Sequence, residues 1–184
     1  MQLVPILEVS RQVQSRVRDL RNQPDVRQYM YTDHEISDAE HTAWLGSLPD
    51  NPRQSVFVLM LDGAVRGVVS LNAISTLHKT ADWAFYLDSE LQGQGLGSRL
   101  EFWLLDHAFG VAGLEKLNCE VLQSNPAVIR LHQKFGFSIE GVRRQNIIKD
   151  NVRVDVVMLG ITRQEWAAQR PKMENVMARL NRVS

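Results

Sequence analysis

The order of hydrophobic and polar positions predicts seven β-strands separated by helices and turns. Short runs that are continuously or alternately apolar are typical of strands buried on one or both faces. Such runs occupy residues 3–7, 55–61, 65–73, 80–87, 116–122, 137–148 and 152–161. Asp62-Gly63 and Asp150-Asn151 each separate two of these runs, and dipeptides of this kind favour the tight turns of β-hairpins.

Helices are predicted from apolar residues spaced three or four apart and from capping residues at their N-termini. Ser10 precedes a helix over residues 11–21, and Ser37 with Glu40 forms a capping box before a helix over 38–48. In the second half of the chain, a helix over 96–111 is predicted from a buried stripe of Leu100, Trp103, Leu104 and Ala108. A helix over 126–135 has Pro126 at its start. A second capping box, of Thr162 and Glu165, opens a C-terminal helix.

These elements alternate β and α and include antiparallel hairpins, which predicts a mixed sheet with helices on both faces. A chain of 184 residues suits one domain with a sizeable core. We place this domain at residues 1–170. After Pro171, residues 171–184 form an amphipathic helical tail that either packs on the domain or mediates association.

The composition excludes several classes of protein. Lys plus Arg and Asp plus Glu number 21 each, so the formal net charge is zero, whereas a nucleic-acid binder needs a basic field. The single cysteine, Cys119, cannot form an internal disulfide, and its alternating strand predicts a buried rather than a catalytic side chain. Because neither a signal pattern nor an apolar run of membrane-spanning length is present, we expect a cytoplasmic protein that binds neither nucleic acid nor membrane.

The stretch 87–97, LDSELQGQGLG, carries the clearest chemical signal. It leaves a predicted strand and places glycines at positions 93, 95 and 97 at the start of a long helix. Glycines leave backbone N–H groups unobstructed where a helix presents unpaired donors and the positive end of its dipole. This pattern predicts a cradle for a pyrophosphate, and a glycine-rich turn without a ligand is the alternative.

Two well-known phosphate-binding loops do not fit this stretch. A Rossmann loop has GxGxxG after the first strand, with an acidic residue about twenty positions later. This chain has GxGxG near its middle. A Walker loop has Lys and then Ser or Thr after its last glycine, whereas Ser98 and Arg99 follow Gly97 here.

A second motif lies further along the chain. Glu120, on a predicted strand, is followed by Asn125-Pro126-Ala127 and then by residues 131–137, LHQKFGF. Together with Gln-x-x-Gly-x-Gly at 92–97, this motif resembles the GNAT superfamily of N-acetyltransferases, which shows a strand Glu, an Asn with Ala two residues later, and Leu-Tyr-x-Lys-x-Gly-Phe. The resemblance runs from about residue 8 to residue 162, and it departs from the family pattern at His132, where the family has Tyr.

The resemblance implies an α/β fold with a mixed, mostly antiparallel central sheet of about seven strands flanked by helices. It also implies acetyl-CoA as co-substrate, with no metal. The backbone of residues 85–87 is expected to pair with the pantetheine arm like an added strand. The residues implied in acetyl-CoA binding are Phe85, Tyr86, Leu87, Gln92, Gly93, Gln94, Gly95, Leu96, Gly97, Asn125 and Lys134.

The N-terminal half bears a looser resemblance to the PseH-type aminosugar N-acetyltransferases of pseudaminic acid biosynthesis. The matching segments are RNQPDVRQYM at 21–30, TDH at 32–34 and EHTAW at 40–44. This resemblance implies acetylation of the 4-amino group of UDP-4-amino-4,6-dideoxy-N-acetyl-β-L-altrosamine, for flagellin glycosylation. Aromatic faces stack on sugars or a uracil base, so the acceptor residues expected here are Arg21, Tyr29, Met30, Tyr31, His34, His41 and Trp83. Core packing is the alternative for each of them, and it is the better interpretation for Trp44.

Acetyl transfer to an amine needs a base for the ammonium proton and an acid for the departing thiolate. Glu120 is the candidate base, and we expect burial beside apolar neighbours to raise its pKa. A glutamate that faces solvent or pairs with an Arg is the alternative. His132 is the candidate acid, because imidazole has an ordinary pKa near 6.5 and donates protons near neutral pH. A structural histidine or a water-mediated proton route is the alternative.

Two other functions compete with a nucleotide-sugar acetyltransferase. A protein or peptide N-terminal acetyltransferase of the ribosomal-protein type would share the layout and both motifs. A non-catalytic acetyl-CoA-binding module is the third hypothesis, and the replacement of Tyr by His132 is its only hint. His34-Glu35 and Glu40-His41 lack the HExxH spacing of a zinc site, so we expect no metal. A homodimer remains possible in this interpretation.

Overall fold

The computed structural model describes residues 1–91 and 93–183. Its strands are β1 (Gln2–Pro5), β2 (Ser55–Leu61), β3 (Ala64–Ser75), β4 (Thr80–Leu87), β5 (Lys116–Leu122), β6 (Ser138–Lys149) and β7 (Val152–Thr162). They form a seven-stranded sheet in the order β1-β2-β3-β4-β5-β7-β6. The pairing of β4 with β5 is parallel, and the pairings of β1 with β2, β2 with β3, β5 with β7 and β6 with β7 are antiparallel. The predicted α/β fold with a mostly antiparallel sheet is confirmed.

The helices are α1 (Arg11–Asn22), α2 (Pro24–Arg27), α3 (Asp38–Ser47), α4 (Leu96–Asp106), α5 (Pro126–Phe135) and α6 (Arg163–Val183). The predicted helix over 96–111 is regular only to Asp106, and a π-helical turn follows at His107–Val111. The cap at Ser10 and both predicted capping boxes are confirmed by hydrogen bonds from backbone N–H groups to the capping side chains. In the described part of the chain, no helix combines the length and the apolar character needed to cross a membrane.

The chain divides into two compact units, and the first comprises residues 1–74 and 83–91. Its core is formed by Ile6, directly after β1, and by apolar side chains from α1, β2 and β3 that include Val17, Val56, Val58 and Val68. Trp44 on α3 packs against this cluster, which confirms core packing as the better interpretation of that residue.

The second unit comprises residues 75–82 and 93–183. The side chains buried most completely in it come from α4, β5, α5, β7 and α6, and they include Leu104, Leu117, Phe135, Ile161 and Met173. Cys119 on β5 is also buried, as the alternation of the strand predicts.

Helix α6 continues through Pro171, although the sequence suggests a separate tail after that residue. Proline removes a backbone donor and disfavours a helix interior. Side chains on both sides of it hold the helix in place: Trp166 and Arg170 donate hydrogen bonds to Asp106, and Met173 is fully buried. Met173 packs within the second unit, and a role of the segment after Pro171 in association stays a prediction.

Candidate functional site

The glycine-rich loop lies in the second unit and opens directly into α4. Gly93 and Gly95 both adopt left-handed backbone conformations, with φ of 79° and 77°. Gly95 is the N-cap of α4, where it has no side chain to cover the first turn of the helix. A left-handed residue before a helix N-terminus aims successive N–H groups at one point, which favours an anion. Gln92, predicted to take part in this loop, lies outside the described residues.

The loop packs against the end of α6 within the same unit. The Cβ that an alanine would place at Gly95 lies 3.0 Å from Cδ2 of Leu180, whereas a Cβ at Gly93 would have no atom within 4 Å. Arg99, in the first turns of α4, donates a hydrogen bond to the carbonyl oxygen of Leu180 at 3.0 Å. Gly93 and Gln94 are exposed, and Leu96 is buried. The two positive-φ glycines therefore have different surroundings, one open and one closed by α6.

Asn125 and Lys134 lie at opposite ends of α5. Asn125 is the N-cap of this helix, and its Oδ1 accepts a hydrogen bond from the backbone N–H of Val128 at 3.4 Å. Lys134 is exposed in the last turn, and its carbonyl accepts from Gln169 at 2.9 Å. These placements account for the helix motif structurally, and the predicted contacts with acetyl-CoA stay predictions.

Glu120 is exposed and forms an ion pair with Arg143, so the expected burial beside apolar neighbours is wrong. The reason is the alternation of β5. Side chains of successive strand residues point to opposite faces, and Cys119 and Val121 take the buried face. The observed pairing with an Arg is the alternative set out for this glutamate, and its role as a base stays a prediction.

His132 is almost completely buried, and its partner is a second buried ionisable residue, Glu101 of α4. The two side chains are 2% and 1% exposed, and Nδ1 of His132 lies 3.0 Å from Oε1 of Glu101. The ring of Phe137 lies tilted against the imidazole, with 5.3 Å between ring centroids. Burial raises the pKa of Glu101, and the charges of His132 and Lys134 lower it.

Sequence reasoning missed Glu101, although a signal for it exists. It lies three and four residues before Leu104 and Leu105, both fully buried, and therefore on the apolar face of α4. A carboxylate is rarely buried unless it is paired. A charged residue on the predicted buried stripe could thus have been identified as a residue in need of a partner.

The segment of β4 predicted to pair with the pantetheine arm lies in the first unit. Phe85 stacks on Trp83, with 5.5 Å between ring centroids and 13° between planes. Burial raises the pKa of the Tyr86 phenol, and the charge of Arg21 lowers it. The pairing of residues 85–87 with a ligand stays a prediction.

The end of β4 is held tightly against β3. Gly67 on β3 leaves no room for a side chain, because a Cβ there would lie 2.5 Å from Cδ2 of Leu87 and 2.9 Å from the carbonyl oxygen of Tyr86. Arg66 donates to the buried Asp88 carboxylate at 2.8 Å, and the Asp88 N–H donates to the Arg66 carbonyl at 2.9 Å. The strand backbone predicted to bind the co-substrate is therefore fixed on its β3 side.

The predicted acceptor residues all lie in the first unit, and several are accessible. Tyr29 and Tyr31 are 39% and 46% exposed, and Met30 between them is half-buried. His34 is exposed, and its Nε2 lies 3.0 Å from a carboxylate oxygen of Glu40.

Arg21, in the last turn of α1, forms a hydrogen bond to the segment that carries Tyr29, Tyr31 and His34. Its Nη2 donates to the carbonyl oxygen of Thr32 at 3.1 Å. Burial lowers the pKa of Arg21, and the charges of Tyr86 and Asp33 raise it. The segment after α1 is therefore tied back to the end of that helix.

The other two predicted acceptor residues, His41 and Trp83, are buried at 6% and 3% exposure. Nε2 of His41 lies 2.8 Å from the carbonyl oxygen of Gln14, a hydrogen bond in which the ring nitrogen is the donor. This burial favours core packing, the alternative set out for both residues, and their contact with an acceptor stays a prediction.

No group of three or more His, Cys, Asp or Glu side chains within residues 1–91 and 93–183 is arranged to hold a metal ion. The groups considered below for chemistry are the glycine loop before α4, the exposed carboxylate of Glu120 on β5 and the buried pair of Glu101 and His132.

Comparison with known proteins connects this arrangement to a family. The chain is 36% identical over 85 residues to spermidine N(1)-acetyltransferase of Escherichia coli (strain K12), a match that covers 46% of each protein. It therefore spans about half the length of that relative. It is 28% identical over 119 residues to acetyltransferase PseH of Campylobacter jejuni, which covers 65% of this chain and 73% of that protein.

Among solved structures, spermidine N-acetyltransferase from Vibrio cholerae in complex with CoA and spermine superposes with a TM-score of 0.83. The superposition covers 90% of this chain and 97% of that one at 22% identity, so it shows the shared fold. The model of the acetyltransferase (GNAT) family matches residues 17–137, a range that contains the glycine loop, Glu120, Asn125 and the buried pair. Sequence motifs, fold and family model agree, and this chain belongs to the acetyltransferase (GNAT) family.

Proposed function

We propose that this protein transfers an acetyl group from acetyl-CoA to a primary amine of a small molecule. The observation that carries the proposal is the glycine loop, in which two left-handed glycines precede the N-terminus of the eleven-residue helix α4. The open surroundings of Gly93 leave space for a bulky anion beside the backbone. The diphosphate of acetyl-CoA has the charge that such a helix start favours.

The reaction is a direct displacement at the thioester. The neutral amine attacks the acetyl carbonyl, a C–N bond forms, the C–S bond breaks, and CoA leaves as a thiolate. The amine loses one proton and the thiolate gains one, so the products are the acetamide and CoA. We assign to Glu120 the role of the base that accepts the amine proton, directly or through water. We assign to His132 the role of the acid that donates a proton to the thiolate.

For the acceptor we propose a nucleotide-linked aminosugar, the substrate class implied by the resemblance to the PseH type. Tyr29 and Tyr31 offer exposed aromatic rings, which stack on sugars and bases. The carboxylates nearby are already paired with basic groups: Arg27–Glu35 at 3.4 Å, Arg18–Asp38 at 2.7 Å and His34–Glu40 at 3.0 Å. A polycationic acceptor would have to compete with these partners.

A polyamine is the second candidate, because the match to the Escherichia coli spermidine acetyltransferase has the higher identity. Polyamines are bound by carboxylates, and the acidic residues of the segment 33–40 would supply them once their basic partners are displaced. The two acceptors would use different groups of the protein. An aminosugar would stack on the aromatic rings of Tyr29 and Tyr31, whereas a polyamine would pair with the carboxylates of residues 33–40.

The test is CoA release from acetyl-CoA with three acceptors side by side: the UDP-4-amino-4,6-dideoxy sugar, spermidine, and peptides with free N-termini. We expect turnover with the sugar. Turnover with spermidine alone would keep the acetyl transfer and move the acceptor to the polyamines, and turnover with peptides alone would favour the ribosomal-protein type. Tight acetyl-CoA binding without CoA release for any amine would point to a non-catalytic binding module.

A further inference from the structure

The buried pair of Glu101 and His132 joins α4 to α5 inside the second unit. One carboxyl oxygen, Oε1, lies 3.0 Å from Nδ1 of the imidazole, at a site where both side chains are at most 2% exposed. The other oxygen, Oε2, is buried and has no hydrogen-bond partner among the described residues. The contact therefore engages a single nitrogen of the ring through a single carboxyl oxygen.

We infer that Glu101 is a positioning residue for acetyl transfer, whose carboxyl holds the His132 ring through Nδ1 and so makes Nε2 the nitrogen that gives a proton to the CoA thiolate. The inference rests on the proposed function, in which His132 is the general acid. An imidazole has two nitrogens, and the hydrogen bond made by one determines the chemistry left to the other.

Proton counting supports this role. When the charges of the pair sum to zero, Nε2 carries a proton in both arrangements of the shared proton. Either a neutral carboxyl donates to Nδ1 of a ring protonated on Nε2, or a carboxylate accepts from a ring protonated on both nitrogens. Release of the Nε2 proton leaves a carboxylate facing a neutral ring protonated on Nδ1. The pair thus behaves as one acid with its transferable proton at Nε2.

The surroundings favour the form that holds the proton. Burial penalises the net negative pair that remains after donation, and the pKa of Glu101 is raised for the same reason. The charge of Lys134 also acts on this carboxyl, and because it lowers the pKa of Glu101 it eases the loss of the proton. The pair therefore carries its transferable proton before the reaction, and the strongly basic CoA thiolate can take that proton.

Stability alone does not explain the pair. A buried donor or acceptor without a partner costs about 1–3 kcal/mol, and replacing a buried ionic pair by apolar side chains is often neutral or stabilising. Perturbed ionisable groups of this kind are concentrated at functional sites. Glu101 lies on α4, the helix that begins at the glycine loop, and His132 lies on α5, whose N-cap is Asn125.

The test uses Glu101→Gln, His132→Ala and the double variant in the full chain, with the acceptor that the wild type acetylates. Glu115→Gln is the matched control, because it makes the same chemical change in a half-exposed ion pair with Arg163. We expect Glu101→Gln to lower kcat by about tenfold or more, as loss of part of a general acid should, with the KM for acetyl-CoA changed by less than about twofold. In the His132→Ala background the same substitution should have no further effect on kcat.

The pH profile gives a readout that a merely structural role would not move. Without the carboxyl, the donor is a buried imidazolium with no counter-charge from Glu101. The alkaline limb of kcat should therefore move to lower pH in Glu101→Gln. It should not move in Glu115→Gln.

Two results would overturn the inference. The first is a Glu101→Gln enzyme with kcat within about twofold of the wild type while His132→Ala is impaired, and the second is an equal loss with and without His132. A wild type that releases no CoA with any amine contradicts the proposed function instead. If Glu101→Gln does not fold, nitrogen-15 NMR of labelled histidine in the wild type decides, with His132 assigned from the His132→Ala spectrum. We expect a hydrogen-bonded proton shared at Nδ1 and a second proton at Nε2, and a ring with no proton shared at Nδ1 would contradict the inference.

Discussion

Alanine at Gly95 should weaken both the fold and the binding of acetyl-CoA, and it should do so more than alanine at Gly93. Both glycines have φ near 80°, at 79° and 77°. A left-handed conformation costs a residue with a Cβ roughly 1–2 kcal/mol. The backbone penalty is therefore the same for the two variants, and the surroundings of the new methyl group make the difference.

The surroundings differ because α6 covers only one of the two positions. The new Cβ at Gly95 lies 3.0 Å and 3.2 Å from the two terminal carbons of Leu180, whereas at Gly93 it would meet nothing within 4 Å. Overpacking typically costs about 1–3 kcal/mol, and the low end applies because the tip of a leucine side chain can shift. We expect Gly93→Ala to lose about 1–2 kcal/mol of unfolding free energy and Gly95→Ala about 2–3 kcal/mol.

Urea unfolding gives the stabilities, and calorimetry with acetyl-CoA gives the dissociation constants. Leu180→Ala provides the decisive background, since Gly95→Ala should there cost no more than Gly93→Ala does in the wild type. The dissociation constant of acetyl-CoA should rise about tenfold in Gly95→Ala, which corresponds to about 1.4 kcal/mol. Equal stabilities of the two single variants would refute the packing argument, and unchanged acetyl-CoA affinity in both would refute the assignment of the loop.

Three further predictions follow from other contacts. Gly67→Ala should raise the KM for acetyl-CoA, because its Cβ would lie 2.5 Å from Cδ2 of Leu87 and displace the end of β4; an unchanged KM would mean that β4 does not bind the co-substrate. Hydrogen bonds from Ser37 hold the pKa of Glu40 at about 2, below its ordinary 4.5, so this capping box stabilises the fold above pH 4.5 and loses that contribution as the pH falls through about 2. The difference in Tm between the wild type and Ser37→Ala should shrink over this window, and a constant difference would contradict the assignment. Met173→Ala should cost about 2–5 kcal/mol in urea unfolding, since the side chain is fully buried in α6, and a loss below about 1 kcal/mol would show that α6 contributes little to the core.

The hairpins and helix starts were predictable because their signals are local. Asp62 and Gly63 have φ of 52° and 75°, and Asp150 and Asn151 have φ of 48° and 60°, as turns with two left-handed residues require. Glu40 and Ser37 exchange hydrogen bonds across three residues, a distance over which the sequence itself determines the contact.

Features that depend on tertiary packing were not predictable in the same way. Proline at 171 is a local signal for the end of a helix, and it is outweighed by anchoring contacts of Trp166, Arg170 and Met173. The alternation of β5 places Glu120 on the face opposite Cys119 and Val121, so the expected burial of Glu120 did not follow from the pattern that predicts a buried Cys119. The ion pair with Arg143 depends on a residue of β6, which only the fold brings to that face.

The candidate site also combines features with local sequence signals and features that depend on tertiary packing. The glycine loop is contiguous in sequence, so its residues could be named from a motif together with the helix that follows it. The partner of His132 is 31 positions away on another helix, and no periodicity within α5 indicates it. The burial of His41 and Trp83 is likewise a result of tertiary packing that no local signal in the sequence indicates.

Helix α4 links the two parts of the proposed chemistry in the second unit. Its N-terminus carries the glycine loop, and Glu101 lies six residues after Gly95, about 9 Å along the axis at 1.5 Å per residue. A helix of this length is rigid over two turns, so a ligand held at its N-terminus and a ring held by Glu101 keep a fixed separation. Substitutions in the glycine loop and at Glu101 should nevertheless change different kinetic constants. In the proposed mechanism the loop binds acetyl-CoA in both the ground state and the transition state, whereas the pair of Glu101 and His132 acts only when the thiolate forms. Gly95→Ala should therefore raise mainly the KM for acetyl-CoA, and Glu101→Gln should lower mainly kcat. The proposed mechanism requires this difference between two positions that one helix connects.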